Sequence, residues 1–189
     1  MKKTLLALCL MLIVAISAKA EDWSELAAAP KDLVLNDGTT EMQAIRITCA
    51  EELAWLAVQV NGSDTYAGKY IRLTADIDLE NIPWIPIGNK PSASVKTQIF
   101  LGDFDGRGHK ISNLKVSEAY NSGLFGHVGY ADLATKGASI KNLGIESGTV
   151  EATGGSAYAG GICGTLSCAV IENCYNKASV SSKDRAGGI

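Results

Sequence analysis

Three short phrases decide the fold: ISNLKV at 111–116, IKNLGI at 140–145 and IENCYN at 171–176. Their starts lie 29 and 31 residues apart. A second phrase follows each, GLFG at 123–126, GICG at 161–164 and GGI at 187–189. Repeats of this length signal a solenoid or array. No 3.6-residue hydrophobic period runs through them, so the unit is β rather than a helix pair. A coil of about 29 residues holds roughly three short strands and three turns, and stacked coils place parallel strands about 4.8 Å apart. The spacing predicts ladders of equivalent residues. Ile111, Ile140 and Ile171 are expected in one interior column, with Leu114, Leu143 and Cys174 in another. Asn113, Asn142 and Asn173 are expected to bond along the stack or to the turn backbone. The second phrase aligns Gly123, Leu124, Phe125 and Gly126 with Gly161, Ile162, Cys163 and Gly164. A right-handed winding follows from the general crossover preference.

Upstream, TCAEELAWLAVQVNG at 48–62 reads as the best helix in the chain. Thr48 and Glu51 are spaced as a capping box, and Leu53, Leu56, Ala57 and Val60 share one face. Asn61-Gly62 ends it. YIRLTADIDL at 70–79 alternates apolar and polar residues throughout, the mark of a strand wet on one side. WIPIG at 84–88 and QIFLGDF at 98–104 are shorter strand candidates, the first bent by Pro83 and Pro86. One further strand is expected at 33–35, before an NDG turn at 36–38.

Residues 1–20 read as a secretory signal peptide. Lys2 and Lys3 precede twelve apolar residues, and Ala18 and Ala20 supply an A-x-A cleavage site. Leu8 before Cys9 argues against a lipoprotein signal. Cleavage leaves 169 residues with 14 basic and 20 acidic side chains, a net charge of −6. That balance argues against nucleic acid and anionic membrane surfaces as partners. Twenty glycines with four prolines indicate tight turns rather than a disordered linker. The domain plan is a signal peptide at 1–20, a lead-in at 21–45 and a parallel β-helix at 46–189. The last repeat stops short of its final positions, so its open coil is expected to be covered by further repeats or a partner.

YIRLTADIDLENIPWIPIG, FLGDFDGRGHKISNL, GLFG and the IENCYN…GGI order together resemble the GLUG-motif repeat proteins. These occur in bacterial exported and surface proteins, including the non-catalytic repeat region of immunoglobulin-A-protease-type metallopeptidases. The resemblance covers about 46–189. It implies a right-handed parallel β-helix with a short N-terminal capping helix, secreted, periplasmic or on the cell surface, and used in adhesion or recognition. It does not bring metallopeptidase activity: there is no H-E-x-x-H, and His109 and His127 lie apart.

The candidate binding residues are Asp76, Asp78, Asp103, Asp105, Arg107 and His109. Two D-x-D pairs could suit a glycosidase or hold calcium. The blander reading is that they bond turns and face water. In GDFDGRGHKI at 102–111, Gly106 and Gly108 offer positive φ, and Asp105 can form an Asx turn. Arg107, His109 and Lys110 could instead grip an acidic sugar. Cys163 and Cys174 replace apolar residues of other repeats and read as core. A Cys163–Cys168 or Cys168–Cys174 bridge stays open, and Cys49 lies far off in sequence. No cofactor is expected other than calcium at the aspartates. GSDTYAGKY at 62–70 has five residues between its glycines and Tyr70 where a P-loop needs Ser or Thr. Tyr158 breaks the nucleophile-elbow pattern around Ser156. The leading expectation is a non-catalytic surface module that binds a glycan or protein, with Tyr66, Tyr70, Trp84 and Tyr120 as exposed aromatics. A polysaccharide lyase or hydrolase and a structural spacer are the alternatives.

Overall fold

A computed structural model describes residues 21–89, 97–118, 120–130 and 137–189. The signal peptide expected at 1–20 lies outside the described residues. The described residues form an all-β parallel solenoid of about three turns with one α-helix. After a 3-10 turn at Trp23–Leu26 come β1 (Ile45–Ile47), α1 (Ala50–Asn61), β2 (Tyr70–Leu73) and β3 (Ile77–Asp78). The next coil carries β4 (Asp103–Asp105), β5 (Lys110–Ser112), β6 (Leu114–Glu118), β7 (Asn121–Ser122) and β8 (Phe125–Val128). The following one carries β9 (Ser139–Lys141), β10 (Gly144–Ile145), β11 (Gly148–Ala152), β12 (Tyr158–Gly160) and β13 (Cys163–Leu166). The last has β14 (Val170–Glu172), β15 (Tyr175–Asn176), β16 (Ser179–Ser182) and β17 (Arg185–Gly187).

Among the described residues five sheets form the walls. The longest runs β1-β2-β4-β9-β14, and the second runs β3-β5-β10-β15. The others are β6-β11-β16, β7-β12-β17 and β8-β13. Every strand pair among the described residues is parallel. Single bridges at Pro83, Ile87 and Phe100 extend two walls into the β2–β3 coil. WIPIG thus contributes bridges rather than a strand, because proline cannot donate to a ladder.

Register corrects the expected columns. Ile140 does face Ile171, but the same column continues upward through Phe104, Ile71 and Ile45. Ile111 belongs to the second wall, in register with Ile77 above and Ile145 below. Leu114 faces Gly148, not Leu143. The 29-residue spacing therefore compares two different corners of one polygon. Both corners use the same local device, a buried isoleucine, a half-buried residue and an asparagine in the left-handed region. Asn113, Asn142 and Asn173 have φ of 55°, 54° and 52°, a conformation asparagine tolerates better than most residues. The GLFG and GICG alignment holds, with Phe125 opposite Cys163 and Phe125 N–H bonded to Ile162 O at 2.9 Å.

The stretch at 70–79 is not one strand. It turns at 74–76 between β2 and β3, while its alternation of buried and wet side chains continues across the corner. Residues 33–35 form turns, with Asn36 N–H bonded to Asp32 O at 3.0 Å and Val34 94% exposed. Leu33 packs against the core, while Val34 and Leu35 are exposed.

Helix α1 buries Leu53, Leu56, Ala57 and Val60 in the same core as Ile45, Ile47, Ile71 and Leu73. It covers the open interior above the first complete coil, where exposed apolar columns would otherwise meet water. Its N-cap is Cys49 without a side-chain cap, not Thr48. The Thr48 hydroxyl pairs instead with Thr74 Oγ1 at 2.9 Å, and Glu52, not Glu51, accepts the Thr48 N–H at 2.7 Å. At the other end Asn61 clamps the helix to the coil: Nδ2 donates to Pro86 O, and Oδ1 accepts from Gly88 and Asn89 N–H. Trp23 locks the lead-in through Nε1 to Leu79 O at 3.0 Å.

Candidate functional site

Side chains at alternate positions of a strand point outward, so the first wall carries two outward columns. One reads Arg46, Arg72, Asp105, Lys141, Glu172, and the other Tyr70, Asp103, Ser139, Val170. Between them lies a groove of about 180 Å³, lined by Tyr70, Arg72, Asp103, Asp105, Arg107, Ser139 and Lys141, with Glu41 and Ala44 on one side. A larger apolar cleft of about 350 Å³ lies where α1 meets the first coil, among Trp23, Ala54, Val58 and Trp84. The groove on the first wall holds the convergent polar groups and is the better candidate site.

Asp105 is the hub. Its Oδ1 accepts the Arg107 N–H at 2.9 Å, closing the expected Asx turn, and the Asn142 Nδ2 at 2.9 Å. Its Oδ2 lies 3.9 Å from Arg107 and 3.8 Å from Lys141. Asn173 continues the ladder by donating to Asn142 Oδ1 at 2.7 Å. Positive φ falls on Arg107 (54°) and Gly108 (82°), not on Gly106. Gly106 is required for another reason: a Cβ there would come within 2.5 Å of Asn142 O. Asp103 accepts the Ser139 hydroxyl at 2.6 Å.

The other candidates sit elsewhere. Asp78 repeats the Asp105 device at the next corner, accepting Glu80 N–H and Asn113 Nδ2, each at 2.8 Å. Ser147 Oγ then bonds Asn113 from the coil below. The asparagine ladder is thus two ladders, Asp105–Asn142–Asn173 and Asp78–Asn113–Ser147, each headed by an aspartate. Asp76 lies in the corner between β2 and β3 and accepts His109 Nδ1 at 3.0 Å and Lys110 N–H at 3.1 Å. The His109 bond, then the backbone N–H, hold its carboxyl below the usual range. Asp76 and Asp78 therefore do not stand on one strand as a pair.

A second outward cluster escapes sequence reading. On the second wall Tyr175 O–H donates to Glu146 at 2.7 Å, and Lys177 Nζ pairs with Glu146 at 2.7 Å while lying 5.4 Å from the Tyr175 ring centroid. The lysine, then the tyrosine, lower the Glu146 carboxyl. Register alone brings these residues together.

Of the expected exposed aromatics, Tyr120 is exposed and Tyr70 half-buried, but Trp84 and Tyr66 are buried. Trp84 fills the interior and donates Nε1 to Leu124 O at 3.0 Å. His127 is buried at 9% exposure, in register with Thr165. All four described cysteines are free thiols. Cys163 is core, its thiol pushed up to about 12 by burial, and Cys174 is half-buried with its thiol raised for the same reason. Among the described residues no group of three or more His, Cys, Asp or Glu is placed to hold a metal ion.

No protein-family model matches the chain. It is similar to halomucin from Haloquadratum walsbyi, 30% identical over 175 residues, which is 89% of this chain and 2% of halomucin. The chain thus spans a small part of that relative's length. Among solved structures it is similar to a proposed immunoglobulin A1 protease from Bacteroides ovatus. The match has 22% identity and a TM-score of 0.49, covering 84% of this chain and 52% of the other. No helix among the described residues is long and apolar enough to cross a membrane.

Proposed function

We propose that the chain is a repeat module of an exported, cell-surface protein and that it binds an extended ligand, a glycan, along the outer groove of its first wall without chemical turnover. The observation that carries this reading is the groove itself. Three successive coils each contribute outward polar groups to one concave strip: Tyr70 and Arg72, then Asp103, Asp105 and Arg107, then Ser139 and Lys141. A rigid repeating face of this kind suits a repeating ligand. The leader-like residues 1–20, the likeness to halomucin and the GLUG-like phrases support a surface location.

What favours binding over hydrolysis is the state of the aspartates. Asp76, Asp78, Asp103 and Asp105 each accept hydrogen bonds that fix a corner or a neighbouring coil. A general acid needs a carboxyl held protonated near neutral pH, and Asp76 is shifted the other way. The test is a panel of neutral and acidic polysaccharides, read for both binding and product release. Saturable binding without released oligosaccharide, weakened by Tyr70→Ala and Lys141→Ala, is expected. Release of oligosaccharide that vanishes in Asp76→Asn or Asp78→Asn would establish an enzyme instead. Failure to bind any member would leave the module as a spacer.

A further inference from the structure

Among the described residues two charges of the groove have no hydrogen-bond or ion-pair partner, the exposed Glu41 and the half-buried Arg72. Down the outward column, Arg46 is paired with Asp32 at 3.6 Å. Asp105 is saturated by Arg107, Lys141, Asn142 and a backbone N–H. Arg72 sits between them in register, yet among the described residues its guanidinium has no hydrogen-bond or ion-pair partner. It is half-buried and lines the groove. A partly desolvated guanidinium presents a planar fork of donors matched to a carboxylate or sulfate. Lys141 and Arg107 of the next two coils offset Asp105, Asp103 accepts the Ser139 hydroxyl, and the exposed Glu41 leaves Arg72 as the unpaired cation of the lining.

Resting on the binding reading above, we propose that the groove takes an anionic sugar unit, its carboxylate or sulfate forked by Arg72 and its ring against Tyr70. The groove is small and holds one ring rather than a folded partner. Tyr70 stands two residues from Arg72 on the same outward side of β2, so an aromatic face and an anion site lie side by side. Sugars stack on such faces through their C–H groups.

The test uses the folded chain with an oligogalacturonate, its methyl ester, a sulfated dextran, neutral dextran and polyglutamate. Titrations compare wild type with Arg72→Gln, Arg72→Lys and Lys183→Ala. Lys183→Ala removes the same charge from an exposed site remote from the first wall. Circular dichroism confirms that each variant is folded. The expected result is tight binding of the carboxylated or the sulfated polymer and weak binding of its neutral counterpart. Arg72→Gln should lose about tenfold or more in affinity, Arg72→Lys part of that, and Lys183→Ala almost none. Whether the galacturonate or the sulfated dextran responds identifies the anion. Equal binding of acidic and neutral glycans, both weakened by Tyr70→Ala but not by Arg72→Gln, would overturn this inference and leave the binding reading standing. Arg72-dependent binding of polyglutamate in preference to every glycan would assign the groove to an acidic protein and overturn it too. Binding of nothing by wild type would remove both.

Discussion

Replacing Asn142 separates the two things that hold a corner together. Asn142 sits at φ 54°, donates Nδ2 to Asp105 Oδ1 at 2.9 Å and accepts from Asn173 Nδ2 at 2.7 Å. Glycine removes both side-chain bonds but keeps the left-handed backbone free of cost. A net hydrogen bond contributes about 1 kcal/mol, and one to a carboxylate somewhat more, reduced here because the site is half-exposed. Asn142→Gly should therefore cost roughly 2 kcal/mol. Alanine loses the same bonds and adds a left-handed penalty of about 1 kcal/mol, so Asn142→Ala should cost roughly 3 kcal/mol. Urea unfolding, with stability extrapolated to water, reads both. The order is the sharp part. In an ordinary strand glycine is worse than alanine by about 0.5–1 kcal/mol; here glycine should be the milder change. Alanine equal to or better than glycine would refute the left-handed corner and the ladder built on it.

Other outcomes follow from the same geometry. Gly148 has φ 141° and a Cβ there would lie 2.1 Å from Leu114 O, so Gly148→Ala should destabilise by more than about 2 kcal/mol, read as a drop in melting temperature. Ile145→Ala, fully buried, should cost about 2–5 kcal/mol; Ile171→Ala, half-buried on the last coil, should cost clearly less by the same assay. Asp76 has a lowered carboxyl, so the interaction stabilises above the ordinary carboxylate range and is lost as pH falls through the depressed value. The stability gap between wild type and Asp76→Asn should accordingly be present at neutral pH and close as pH falls through that depressed value; a gap that widens in acid would contradict the pairing. In the native protein a thiol reagent should modify exposed Cys168 rapidly and spare Cys163, which is buried with its thiol pushed up to about 12. Equal rates by mass spectrometry would place Cys163 at the surface.

The wall-forming pattern was legible because burial leaves a local trace. Alternation at 70–79 survives across a corner, the α1 face repeats at helical spacing, and the Asx turn at Asp105 needs only its own neighbours. The coil register was not legible. Corners of different walls share one local solution, so ISNL and IKNL look equivalent although Ile111 and Ile140 occupy separate columns. Coils also differ in length: Phe104 pairs with Ile140, 36 residues on, and Ile140 with Ile171, 31 residues on. The groove depends on that register. Asp103, Asp105 and Arg107 could be singled out as a local cluster, but Tyr70, Arg72, Ser139 and Lys141 join them only once Ile71, Phe104 and Ile140 are known to stack. Trp84 and Tyr66 show the converse: an aromatic beside polar residues carries no local sign of which way it points.

Paired cysteines in the third wall test the stacking most directly. Ser117 and Glu151 are both exposed and in register across β6 and β11, at a neighbour-strand spacing of about 4.8 Å that a disulfide can bridge. In a Cys168→Ser background, Ser117→Cys with Glu151→Cys should cross-link under mild oxidation, whereas Ser117→Cys with Glu146→Cys, the 29-residue partner, should not. Preferential cross-linking of the 117–146 pair would contradict the register, and with it the groove.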